Sequence, residues 1–275
     1  MADRLRVTVG PGVARTLAAR VEAWAQEVVE RGESPPFVAL TLWRDSKELE
    51  DFYRREKEEL GIVSEDAGFL ATHEAWRGTP RVHLCQERLE GVPPEVVRGA
   101  IHHEMAHAAL HGTPEFYTFR FTRELQDAAA GCGMDFPLLQ QYVYFLSVAV
   151  KDGDVVRWLA RIGLGSGQRT LLEFLLSETE DERRTWEAVR SHPPVRKLAL
   201  AAFLKTLLPA DALASLGEPQ SSSLEALWLA AFDWLPEPER EALLRLAQSD
   251  AGEPREPFQT RIEQIALRLL ADPAL

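Results

Sequence analysis

The chain has 275 residues, 45% apolar and 27% charged, with Arg far outnumbering Lys and no Asn; this is enough chain for a packed core in one large or two smaller domains, with a balance compatible with a thermophile. A formal net charge of −12 argues against nucleic acid or an anionic membrane surface as the main partner. Cys85 and Cys132 make no CxxC and no disulfide framework, the N-terminus lacks the apolar stretch of a signal peptide, and no apolar run has the length of a membrane span, so the expectation is a cytoplasmic protein.

Over residues 13–31, apolar side chains recur at helical spacing (Val13, Leu17, Val21, Trp24, Val28) before Gly32, which predicts a helix. Pro35-Pro36 breaks the chain, and the apolar run 37–43 predicts a buried strand. Asp45-Ser46 caps a charged helix over 47–60. Residues 68–76 predict another strand, Arg77-Gly78-Thr79-Pro80 a turn, and the alternating 81–85 a strand with one face exposed. Pro93-Pro94 then opens a helix that carries His102-His103-Glu104-Met105-Ala106-His107.

That helix holds H-E-x-x-H. Side chains four apart stack on one helical face, so His103 and His107 can offer two imidazoles to one metal ion, with Glu104 beside the first. Four of the seven histidines fall within residues 102–111, on a helix otherwise apolar through Val96, Val97, Ile101, Met105 and Leu110. Partly buried imidazoles need partners, and a metal supplies one. The competing reading is a solvated helix that happens to carry histidines. His102 lies about 100° round the helix from His103 and is not expected to ligate.

A catalytic zinc takes three protein ligands and keeps one position open. His111 lies about 12 Å along the axis from His103 at 1.5 Å per residue, which suits a group that contacts a ligand rather than the ion. Glu115, three residues past Gly112, is narrowly favoured as third ligand, although a Glu in a first helical turn is common for its dipole alone. Glu124 is the alternative, if its helix packs back on the motif helix; Asp127 would then orient a ligand histidine. An oxyanion could be stabilised by Tyr117, His111, His102, Tyr142 or Tyr144.

His111-Gly112-Thr113-Pro114 ends the motif helix and begins another, over 115 to about 130. Gly131-Cys132-Gly133 predicts a boundary between domains 1–130 and 131–275. The remainder reads as helices over 136–151, 155–162, 170–190, 195–207, 223–235, 237–248 and 258–270, with breaks at 163–167, 192–194, 217–220 and 252–254. Trp158, Trp186, Trp228 and Trp234 are expected as core.

The strands, the His103-Glu104-Met105-Ala106-His107 helix and the helix after it together resemble the catalytic half of zincin metallopeptidases, over about residues 35–130. A Glu third ligand would resemble the gluzincins, and the compact size the minigluzincins. There is no third His at the metzincin spacing, and Glu124-Leu125-Gln126-Asp127 is one residue short of the gluzincin Glu-x-x-x-Asp. The resemblance implies an α+β fold: a small zincin-like sheet-and-helix catalytic half followed by an all-α half. It also implies Zn2+ as cofactor, Glu104 as general base, and a peptide or protein substrate that adds to strand 81–85. The alternative is a catalytically inactive zincin-like protein that binds metal and interacts through its helical half. Glu104, which a closed structural site does not need, favours the enzyme. Oligomeric state stays open.

Overall fold

A computed structural model of the chain describes residues 4–32, 37–62, 69–177, 179–216, 222–250 and 256–272. Residue 68, Pro35-Pro36 and the breaks at 217–220 and 252–254 lie outside these. The fold is α+β. Two compact units divide the chain, Met1–Tyr117 and Thr118–Leu275.

The first unit runs β1 (Leu5–Val9), α1 (Arg15–Arg31), β2 (Val38–Trp43), α2 (Ser46–Leu60), β3 (Ala71–Glu74), β4 (Arg81–Cys85), the single turn α3 (Gln86–Leu89) and α4 (Pro94–Leu110), then a 3-10 turn at Pro114–Tyr117. β1 was not anticipated, although Leu5-Arg6-Val7-Thr8-Val9 alternates as a strand should. α2 begins where the Asp45 carboxylate accepts the Glu48 N–H at 2.9 Å and ends at Gly61, whose φ of 65° suits a residue without a Cβ.

The sheet order is β1-β2-β4-β3, with β1, β2 and β4 parallel and β3 antiparallel to β4. This corrects the expectation that 81–85 is the edge strand. β4 is bonded to β2 on one side and β3 on the other, so the edge beside it is β3. It also corrects the expected exposed face. Val82 and Leu84 share one buried face with Leu40 and Leu42, while His83 and Cys85 are buried on the other, where Leu49, Phe52 and Tyr53 of α2 cover them. The antiparallel register puts Ala71 and His73 on the Val82–Leu84 face and Thr72 and Glu74 on the α2 face. α4 packs against β3, β4 and α1.

Under α2, polar groups are buried only with partners. Glu74 accepts from Arg81 and from the Trp76 N–H (3.0 Å), and Arg81 also reaches Glu56 at 2.6 Å. Trp43 Nε1–H donates to His83 Nδ1 at 3.1 Å, which leaves the proton of a neutral ring on Nε2, 3.4 Å from Glu74.

Among the described residues of Thr118–Leu275, the regular elements are all helices: α5 (Arg123–Gly131), α6 (Phe136–Arg161), α7 (Gly165–Leu176), α8 (Glu180–Val189), α9 (Pro193–Ser215), α10 (Ser222–Ala231), α11 (Glu237–Asp250) and α12 (Phe258–Ala271). α6 is continuous where two helices were expected. Gly153 does not break it, and Asp154 pairs with Arg157 one turn on at 2.9 Å. The single helix expected over 170–190 is two.

The division falls before Gly131 because the segment after Tyr117 belongs to the helical core. Leu125 and Ala129 are buried there, and Gln259 of α12 donates to the Thr118 carbonyl at 2.7 Å. α9 packs against α6, α7, α8, α10, α11 and α12. By length and hydropathy (1.4 over its most apolar window) it could cross a membrane, which corrects the expectation that no apolar run has that length. Its central place in this core gives the apolarity a packing role. Trp186 and Trp228 are buried in the same core; Trp158 and Trp234 are half-buried.

Lys197, 7% exposed, donates to the Leu269 and Asp272 carbonyls at 2.7 and 2.9 Å and so closes the C-terminal end of α12. Lys197→Met leaves those carbonyls without that donor and lowers the unfolding free energy by about 1–2 kcal/mol in urea titration. Burial holds the His83 imidazole below its usual pKa of 6.5. The unfolded chain therefore binds a proton that the folded chain refuses, and stability falls as pH drops through about 6.5. His83→Gln flattens the plot of stability against pH there by up to about 1.4 kcal/mol per unit.

Candidate metal centre

α4 starts with Pro94 in its first turn, where the missing N–H is not needed. Its buried face includes Val97, Ile101, Met105 and Ala108. Burying that stripe turns the ladder His103, His107, His111 so that His107 meets β3. His107 Nε2 and His103 Nε2 are 3.0 Å apart, with the rings inclined at 74°. Two nitrogens bound to one tetrahedral zinc at about 2.0–2.1 Å stand roughly 3.3 Å apart, so this pair suits a shared ion. The other nitrogen of His107, Nδ1, is 3.2 Å from His111 Nδ1, and His111 is 2% exposed. If His107 donates there, its Nε2 keeps the lone pair a cation needs.

His73 comes from the edge strand and lies parallel to His107, centroids 4.6 Å apart and planes within 2°. His73 Nδ1 is 3.5 Å from Glu104 Oε2, and His73 Nε2 is 2.6 Å from the Tyr117 hydroxyl. One ligand atom each from His73, Glu104 and His107 lie within 4.8 Å of one another.

The structure therefore gathers His103, Glu104, His107, His111 and Tyr117 with a residue that the sequence reading did not single out, His73. Its signal was present: His73 sits in a predicted strand just ahead of the motif helix. Which face it would present depended on pairing with β4.

The expected carboxylates Glu115, Glu124 and Asp127 are exposed. Glu115 is exposed on the 3-10 turn and accepts from Thr113 Oγ1 at 3.1 Å. Glu124 and Asp127 belong to the helical unit. The helix expected over 115–130 begins only at Arg123, because Thr122 caps it by accepting the Leu125 N–H at 3.2 Å. Glu124 is thus in the first turn rather than the second or third, and exposed; Asp127 is exposed and 3.6 Å from Arg123.

Two suggested oxyanion groups are engaged otherwise. His102 is buried with Nε2 3.3 Å from Glu27 Oε2 on α1, and burial pushes its pKa down to about 4. Tyr142 is buried in the helical unit, its hydroxyl donating to the Ala266 carbonyl at 3.0 Å. Compared with protein-family models, with curated proteins and with solved structures, the chain has no match.

Gly112 sets the turn that brings Tyr117 back to His73. A Cβ at Gly112 would overlap both the Ala108 carbonyl oxygen and the Pro80 ring. Gly112→Ala costs about 1–3 kcal/mol in thermal or urea unfolding and weakens the Tyr117–His73 contact, measured as increased hydrogen exchange over the 3-10 turn.

Proposed function

We propose that the chain is a zinc-dependent metallopeptidase in which His103 and His107 hold the ion and Glu104 is the general base. The observation that supports this reading is the 3.0 Å convergence of two imidazole Nε2 atoms one helical turn apart, on a helix that sets a carboxylate beside them. When bound, zinc supplies a Lewis acid that polarises a scissile carbonyl and acidifies a water molecule.

Glu104 takes a proton from the attacking water at its carboxylate and returns it to the departing amine nitrogen. His111 holds His107 in the ligating tautomer. A peptide or protein substrate in extended form adds to β3, the edge strand, in place of β4, and main-chain hydrogen bonds align its scissile bond with Glu104. Glu115, the third-ligand candidate in the same unit, must leave Thr113 Oγ1 to serve.

Purified protein with zinc restored is expected to hydrolyse unstructured peptides such as denatured casein. Glu104→Gln keeps stoichiometric zinc and loses hydrolysis, whereas His107→Ala loses zinc as well, by metal analysis. Zinc titration of Glu115→Gln tests the third ligand: weakened binding assigns it to Glu115, and unchanged binding excludes Glu115. Zinc uptake without hydrolysis by the wild type would leave the non-catalytic metal-binding module as the reading; no zinc uptake would remove both.

A further inference from the structure

We propose that His73 is a positioning residue for Glu104: it presents Nδ1–H to the carboxylate and is held in that tautomer by the Tyr117 hydroxyl. The catalytic consequence rests on the metallopeptidase reading; the hydrogen-bond polarity does not.

An ionised carboxylate only accepts. His73 Nδ1, 3.5 Å from Glu104 Oε2, makes a favourable contact only if it carries a hydrogen. A neutral imidazole protonated there has its lone pair on Nε2. Tyr117, whose hydroxyl oxygen is 2.6 Å from that Nε2, then donates. The chain has one direction: Tyr117 O–H to His73 Nε2, and His73 Nδ1–H to Glu104. The opposite neutral tautomer sets a nitrogen lone pair against a carboxylate oxygen.

Three independent contacts hold this ring. Its backbone lies in β3, in register with Val82 of β4. Its face is stacked on His107, and its far nitrogen is fixed by Tyr117. The side chain of His73 is 8% exposed and that of Glu104 16%, so the contact is sheltered from water. His73 is not a second ligand beside His107 in this arrangement. An imidazole lone pair points within its ring plane, and parallel displaced rings cannot aim two lone pairs at one point.

What His73 supplies is orientation. A glutamate has three side-chain torsions, and a base must be aimed before it acts. Held at Oε2, the Glu104 carboxylate has its torsions fixed before the attacking water arrives. The same imidazole flanks His107, so one edge-strand residue orients both the base and a ligand.

The test uses the full chain. Nitrogen-15 NMR of histidine-labelled, metal-free protein should report His73 protonated on Nδ1, and Tyr117→Phe should release it towards a tautomer mixture. With zinc restored and denatured casein as substrate, Tyr117→Phe and His73→Leu should lower kcat about ten- to hundredfold, the usual range for groups that orient a metal site. KM and zinc content should stay unchanged. His73→Asn, which puts an amide N–H where Nδ1–H stood, should recover most of the loss.

A wild-type proton on Nε2 with Nδ1 bare would overturn the proposal. So would equal rates for His73→Leu and wild type, or loss of zinc from His73→Leu matching His107→Ala, which would make His73 a ligand. Should the wild type hydrolyse no peptide while its NMR shows the Nδ1–H tautomer, the hydrogen-bond chain stands and the peptidase reading falls.

Discussion

His107 has both ring nitrogens directed at other imidazoles, and the arrangement of the first unit follows from that. Nε2 meets His103 one turn before it and Nδ1 meets His111 one turn after, while His73 lies flat against the ring. A histidine 5% exposed cannot hold such neighbours unless each nitrogen finds a complementary partner. The helical period supplies two of the neighbours without tertiary structure. The third requires a sheet beside the helix with an edge strand of the correct facing.

The scaffold meets that requirement by separating two kinds of polar burial. On the α2 face, Glu74, Arg81, Glu56 and His83 form a closed set in which the acids meet guanidinium or ring nitrogen. A network satisfied in this way makes β3 and β4 rigid rather than reactive. On the opposite face, His73 meets the Glu104 carboxylate at 3.5 Å, beside the converging imidazoles of His103 and His107. Imidazole nitrogens converging beside a carboxylate suit a cation. The two faces differ by one residue of register: Glu74 looks into the structural set and His73 into the site.

Legibility in the sequence followed the range of the interaction. His103, Glu104 and His107 needed only helical spacing, and their helix was readable from Pro94 and the apolar stripe. The strands 37–43 and 81–85 were readable because their branched and aromatic residues fall between turn signals. What was not readable depended on pairing. The edge role passed from 81–85 to β3 because strand order is set by partners far along the chain. Glu115 drew attention by closeness in sequence, yet its side chain settles on Thr113. Glu124 was set too deep in its helix because Thr122 caps more strongly than the upstream Thr113-Pro114 continues. The division at Tyr117 was hidden by a glycine signal at Gly131 that marks a helix end inside the second unit rather than its start.

The carboxylate of Glu104 bears on the choice between a structural and a catalytic centre. Its side chain is 16% exposed, and withdrawing a carboxylate from water costs free energy unless donors compensate. Here one donor is His73, whose Nδ1 is 3.5 Å from Glu104 Oε2. A site whose only task is to hold an ion gains nothing from an acid so placed; it would do better with a fourth ligand or an apolar neighbour. A partly sheltered carboxylate beside converging imidazoles is instead what the proposed base needs before it receives a proton. The His73 donor matters for the same reason, since in the proposed hydrolase it helps keep the acid aimed at the water to be deprotonated.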